Sequence, residues 1–242
     1  MRYARPMIAA VLFDLDETLL DRRVSLTGFL ADQHGRFAER LGGVSPELWH
    51  TRFLALDDRG RVPKSVVYPA LLAEFGGDPD LADALLADYR ERCCGYAQPV
   101  PGALEVLCAL REAGLALAIV SNGETAFQHR HVDALGLGRL VDAVLISEQE
   151  GLRKPEPALF HRAADRLATA PRNCLFVGDD PAADILGAGR TGMRTAWLRR
   201  GARWPESLGP MPGVAIETLP EVLDLLGPGP RSPGRRPPPA AA

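Results

Sequence analysis

No apolar run in this chain approaches the roughly 18 residues that would suggest a membrane-spanning helix. Excess charge of either sign is also missing: 28 basic against 31 acidic side chains leave a formal net charge of −3. That balance excludes the electrostatic footprint of a nucleic-acid binder, and no basic amphipathic segment points to a lipid surface. The four cysteines, Cys93, Cys94, Cys108 and Cys174, form no CxxC pair and no zinc spacing. A chain of 242 residues has length enough for a core without disulfide staples, so reduced structural thiols and a cytoplasmic setting are expected. The histidines (His34, His50, His129, His131, His161) show no metal-site spacing. Arg2 and Arg5 ahead of the apolar run Met7–Phe13 mimic a signal peptide, but the run ends in Asp14 and Asp16 with no small-residue cleavage site, and it reads as a buried strand. Lysine is nearly absent: Lys64 and Lys154 stand against 26 arginines. In a chain that uses arginine by default, a lysine is a candidate for a position that wants a compact ammonium.

The C-terminal stretch Pro228–Ala242 holds six prolines, three arginines and no large apolar side chain, so it is expected to be disordered. No internal repeat is present. Ile8–Phe13 reads as a short buried strand running into the acidic turn at Asp14. From about Arg23 to Gln98 the pattern is helical: Leu26–Leu41, Pro46–Asp57, Ser65–Phe75 and Asp80–Cys94 carry apolar residues at three- and four-residue spacing. From Pro101 the rhythm changes to alternation. Helices at Ala103–Glu112, Glu124–Leu135, Pro157–Leu167, Ala182–Arg190 and Leu219–Leu226 interleave with strands at Leu115–Val120, Ala143–Ile146, Cys174–Val177 and Arg194–Leu198. Gly114 is expected to cap the first of these helices. Alternation implies a parallel sheet with both faces covered. The expected fold is therefore α/β: a Rossmann-like parallel-sheet core (residues 1–22 and 99–227) with an inserted α-helical cap domain (23–98) and the tail (228–242).

Ligands of such sheets bind at the carboxyl ends of the strands. Those ends read Asp14-Leu15-Asp16-Glu17-Thr18, Ser121-Asn122-Gly123 and Gly178-Asp179-Asp180, with Asp184 a helical turn on and Arg153-Lys154-Pro155 in the loop before a helix. Side chains two apart in an extended segment point the same way, so Asp14 and Asp16 can share a site. Asp14 and Asp179 offer hard oxygen ligands of the kind Mg²⁺ takes beside phosphate oxygens and water. Ser121 and Asn122 can donate to phosphate oxygens, and Lys154 supplies a point charge. Taken singly each cluster reads as a turn or a helix cap; together they point to phosphoryl transfer with a carboxylate nucleophile.

The four segments FDLDETLLD (Phe13–Asp21), VSNG (Val120–Gly123), RKPEPALF (Arg153–Phe160) and FVGDDPAADILGAGRTGM (Phe176–Met193) resemble, in order, the motifs of the haloacid dehalogenase-like (HAD) hydrolase superfamily. The helical insert after the first motif resembles its subgroup with a helical cap. The resemblance implies Asp14 as nucleophile and Asp16 as general acid and base. It implies Mg²⁺ bound by the Asp14 carboxylate, the Asp16 carbonyl and the Asp179 carboxylate. Ser121 and Lys154 match phosphate-binding positions, with Asn122 as a helper. Asp184 matches an acid holding a metal water or Lys154, and Thr18 a local hydrogen-bonding support. Glu17 stands where Gly, Asp or Asn is common, and Asp180 where a small hydroxyl residue is frequent.

The proton donor two residues after the nucleophile suits a phosphate ester, whose leaving group needs a proton. The expected activity is Mg²⁺-dependent hydrolysis of a small phosphorylated metabolite through an aspartyl-phosphate. The alternatives are a phosphomutase on a sugar phosphate, a haloacid dehalogenase, and a non-catalytic phosphate-binding module. No nucleic-acid or membrane partner is expected, and the chain is read as a monomer or homodimer. Selectivity is expected in the cap, with Lys64, Arg59, Arg61, Tyr68 and Trp49 as candidates. Lys64 is either a solvated surface lysine or the partner of an anionic substrate group.

Overall fold

A computed structural model of the protein describes residues 7–226; the expected disordered tail, Pro228–Ala242, lies outside them. The chain divides into two compact units, one built from the segments before Arg22 and after Gln98, the other from Arg22–Gln98. In chain order the elements are β1 (Ala10–Phe13), α1 (Arg22–Phe37), α2 (Pro46–Asp57), α3 (Lys64–Glu74), α4 (Leu81–Arg92), α5 (Ala103–Glu112), β2 (Ala116–Ser121), α6 (Thr125–Ala134), β3 (Ala143–Ile146), α7 (Ser147–Glu150) and α8 (Pro157–Arg166). There follow β4 (Cys174–Gly178), a π-helical segment (Pro181–Leu186), α9 (Gly187–Gly189), β5 (Arg194–Leu198), β6 (Val214–Ile216) and α10 (Glu221–Leu225).

The discontinuous unit is a Rossmann-like α/β fold. Its six strands are all parallel, in the order β3-β2-β1-β4-β5-β6. Every residue of β1, β2 and β4 is buried, which is why these segments read as unbroken apolar runs. One sheet face packs Leu12, Val120 and Phe176 against Leu159, Phe160 and Ala163 of α8. Phe160 meets Phe176 edge to face at 5.1 Å. Gly114 follows α5 at φ +81°, the left-handed cap expected there. Because β1 lies between β2 and β4, the chain reverses its direction of travel across the sheet beside β1. That topological switch opens a crevice at the carboxyl ends of β1 and β4. Leu20 and Pro99 pair in an antiparallel bridge, so the helical segment leaves and re-enters this unit at one place.

Three elements differ from the sequence reading. β6 has only one buried residue, so it carries no alternating pattern to read. The four-residue α7 is too short to show a period. The expected helix at Ala182–Arg190 opens as a π-helical turn from Pro181.

The Arg22–Gln98 unit is four α-helices around an aromatic core. Ser25, Leu26, Phe29, Leu30 and Gln33 make the buried stripe of α1. Ser45 caps α2, accepting from Leu48 N, with Pro46 at the first helical position. Trp49, Phe53, Tyr68 and Leu71 are completely buried. A polar thread runs through this core: Tyr68 donates to Gln33 Oε1 (2.9 Å), and Gln33 Nε2 donates to Asp88 Oδ2 (3.0 Å).

Candidate active site

Asp14 is the first residue past β1. Its backbone N–H donates to Val177 O of the neighbouring β4 (2.9 Å), which ties it to the strand end that carries Asp179. The Asp14 carboxylate is buried and pairs with the Lys154 ammonium. The same ammonium lies 2.8 Å from Asp184 Oδ1. Carboxylate oxygens of Asp14, Asp179 and Asp184 fall within 4.8 Å of one another, the group of three metal-capable side chains found among the described residues.

Three carboxylates thus converge where only one ammonium, paired with two of them, offsets their charge, leaving excess negative charge. Burial pushes the Asp14 carboxyl well above its ordinary range; Lys154 pulls it down, while Asp184 and Asp179 push it up. Burial alone would lower the Lys154 ammonium, but Asp14 and Asp184 outweigh it and hold it up. Lys154 therefore stays charged. The surplus of hard oxygen donors fits a small divalent cation, which would neutralise the cluster and keep Asp14 ionised.

Local geometry explains how the sequence builds this cluster. Asp184 sits over Gly178: a Cβ there would come 2.4 Å from Asp184 Oδ2, so only glycine allows that approach. Asp184 Oδ2 also accepts from Asp180 N at 3.0 Å. The π-helical turn carries this aspartate inward, a common use of such turns at functional sites. Trp197 of β5 donates to the Asp179 carbonyl (2.9 Å) and steadies the end of β4.

The remaining expected residues divide. Ser121 is buried at the end of β2, and its Oγ accepts from Gln128 Nε2 at 2.9 Å. Asn122 is not turned toward an open phosphate site: its Nδ2 donates to Lys154 O (3.0 Å) and its Oδ1 accepts from Lys154 N (2.9 Å). The side-chain amide thus mimics a strand partner and fixes the lysine's backbone. Asp180 caps the π-helical turn, accepting from Ala182 N and Ala183 N, both at 2.9 Å. Thr18 is fully buried; its backbone N–H donates to Leu15 O at 3.3 Å, and among the described residues its hydroxyl has no hydrogen-bond partner. Glu17 has φ +61°, the left-handed region that accounts for a Gly or Asn preference there. Its carboxylate pairs with Arg200 (2.6 Å), which also binds Asp21 (2.6 Å).

Gln128, on the first turn of α6, went unnoticed in the sequence. It is buried and donates to Asp16 Oδ2 at 2.7 Å. The available signal was its position: with His131 and Val132 it forms the i, i+3, i+4 inward stripe of a helix that starts at a motif.

The sequence profile of the haloacid dehalogenase-like hydrolases matches residues 8–192. The chain belongs to that family. It is 32% identical over 238 residues to the glyceraldehyde 3-phosphate phosphatase of Methanopyrus kandleri, covering 91% of this chain and 97% of that protein. It is 33% identical over 246 residues to the phosphoserine phosphatase of Thermus thermophilus, covering 88% and 97%. The magnesium-bound structure of the HAD hydrolase YfnB from Bacillus subtilis superimposes with a TM-score of 0.74 at 25% identity, covering 91% of this chain and 99% of that one. HAD hydrolases in general depend on magnesium, and this member is a hydrolase of the phosphatase type.

The helical unit corrects the selectivity candidates. Trp49 and Tyr68 are fully buried core residues. Lys64 is neither solvated nor open to an anion: its ammonium pairs with Asp57, which is also 2.7 Å from Arg22. Arg59 and Arg61 lie on exposed backbone.

Proposed function

We propose that this HAD hydrolase cleaves phosphate monoesters of small metabolites through an aspartyl-phosphate on Asp14. The observation that carries the reading is the buried Asp14 carboxylate at the topological switch, paired with Lys154 and converging with Asp179 and Asp184. In the first step an Asp14 oxygen attacks phosphorus, the ester P–O bond breaks, and Asp16 gives its proton to the departing alkoxide. In the second, Asp16 takes a proton from water, the water oxygen attacks the acyl phosphate, and inorganic phosphate leaves with Asp14 restored. Lys154 and Ser121 hold the phosphate oxygens, Asp184 and Asn122 hold Lys154, and Asp180 and Asp184 brace the loop that carries Asp179. The Asp14 and Asp179 carboxylates and the Asp16 carbonyl would hold a Mg²⁺ ion, whose charge would let a carboxylate approach an anionic phosphate.

Residues 1–22 and 99–227 are read as the catalytic core and residues 23–98 as a cap that selects the substrate. The free cysteines support a cytoplasmic setting. The test is phosphate release from a panel of sugar phosphates, nucleoside monophosphates and flavin mononucleotide, with Mg²⁺ and with EDTA, for the wild type and Asp14→Asn. Turnover should require the metal and fall by at least about a thousandfold in the variant. No release from any compound, or undiminished turnover by Asp14→Asn, would defeat the reading.

A further inference from the structure

We propose that Gln128 is a positioning residue that sets the spacing between the proton donor and the phosphate site. This deepens the function proposed above and rests on its assignment of Asp16 and Ser121. One amide nitrogen of Gln128 lies 2.7 Å from Asp16 Oδ2, 2.9 Å from Ser121 Oγ and 3.3 Å from Asn122 O. Asp16 lies in the loop after β1 and Ser121 at the end of β2, so this one nitrogen spans the two motifs.

The chemistry of the groups fixes the direction of these bonds. A carboxyl oxygen that carries no proton only accepts, so the nitrogen end of the amide faces Asp16 Oδ2. The nitrogen carries two protons, and the two shortest contacts take them: one to Asp16, one to Ser121. The opposite end, Oε1, is buried and among the described residues has no hydrogen-bond partner. The side chain keeps this orientation although it leaves an acceptor unsatisfied inside the protein, which is the mark of a group held for its other end.

Gly123 makes the arrangement sterically possible. A Cβ on Gly123 would stand 2.8 Å from Gln128 Cγ and 3.0 Å from its Nε2. The glycine of the Ser121-Asn122-Gly123 motif therefore leaves room for the glutamine to fold back over the turn. With Oδ2 of Asp16 occupied by Gln128, Oδ1 carries the proton destined for the leaving oxygen. The serine bond holds the other motif: Ser121 Oγ accepts from Gln128 at 2.9 Å while its own hydroxyl lies 3.4 Å from Asn122 O.

The consequence is selective. An alkoxide leaving group needs the Asp16 proton at the moment of P–O cleavage, whereas p-nitrophenolate leaves without it. The experiment compares kcat/KM of wild type, Gln128→Met and Gln128→Glu on p-nitrophenyl phosphate and on the best alkyl phosphate of the panel. Methionine keeps the length and removes the donors; glutamate keeps the shape and replaces the donor with an acceptor. Both variants should lose about 30- to 100-fold on the alkyl ester and less than about fivefold on the aryl ester. Inhibition by inorganic phosphate should weaken only a few-fold. The ratio of the two kcat/KM values is independent of the folded fraction, so partial misfolding does not imitate the result. Equal losses on both esters, or no loss on either, would overturn the positioning role. If the wild type releases no phosphate from any ester, the phosphatase reading fails first, and it does so before any variant is measured.

Discussion

Each of the two lysines ends in a buried ion cluster, and the two clusters have opposite polarity. In the α/β unit one ammonium, Lys154, stands among the carboxylates of Asp14, Asp179 and Asp184. In the helical unit one carboxylate, Asp57, stands between Arg22 and Lys64 and also accepts from Gly60 N at 2.8 Å. The Asp57 cluster fastens pieces of its own unit: Arg22 opens α1, Asp57 closes α2 and Lys64 opens α3. Its carboxylate is enclosed by donors and has nothing left to bind. The Asp14 cluster is held instead by strand ends and loops, and its carboxylates outnumber its ammonium. The same residue type thus balances a single carboxylate in one unit and is outnumbered by carboxylates in the other, so the sign of the surplus charge differs.

The largest expected contrast lies in turnover. Lys154→Met should lower kcat/KM about 100- to 1,000-fold, the usual cost of removing one preorganised charge from a transferring group. Lys64→Met should stay within about threefold, since Arg22 continues to balance Asp57. Steady-state kinetics on the same ester decide this. A large loss in Lys64→Met would move that lysine back among the substrate contacts.

Stability should divide in the opposite sense. Asp57→Asn takes the buried carboxylate away from the half-buried Arg22 and Lys64 cations, which costs about 3 kcal/mol. That corresponds to a fall of roughly 10 °C in melting temperature. Asp14→Asn in metal-free protein should instead raise it by about 2–4 °C, because it removes surplus negative charge. Calorimetry in EDTA reads both. If both variants melt lower, the Asp14 cluster is not overcharged and the comparison collapses.

The smallest effect concerns acid. Burial alone would raise the Asp57 carboxyl, but Arg22 and Lys64 outweigh it and hold it below its ordinary 3.8. The folded chain then binds that proton less readily than the unfolded one. The stability this lends is complete above the ordinary value and is lost as pH falls through the lower folded value. As pH falls below about 4, melting of the wild type should therefore drop more steeply than melting of Asp57→Asn. Parallel curves would show that Asp57 does not titrate against its two cations.

Much of this was legible in the residues. β1, β2 and β4 stand out because a strand covered on both faces is an unbroken apolar run. Asp14, Ser121 and Asp179 stand out because strand ends place polar motifs after such runs, and Lys154 because lysine is so scarce. β6 did not, since two of its three residues are exposed. The bonds of Asn122 to the Lys154 backbone were not legible, because that partner is 32 residues away in the chain. Gln128 escaped because its bond to Asp16 spans 112 residues and no local pattern encodes it.

The sequence by itself determined the parallel α/β core, the four-helix insertion and the motifs at the strand ends. These follow from hydrophobic period and turn chemistry, which act between near neighbours. Only the tertiary structure decided how closely the charges approach and which further partners they take. It set Asp184 against Gly178 and within reach of Lys154, turned Lys64 inward to Asp57, and gave Gln128 to both Asp16 and Ser121. Those outcomes depend on a few ångströms between distant segments, and in a buried site that separation decides whether charges balance or wait for a ligand.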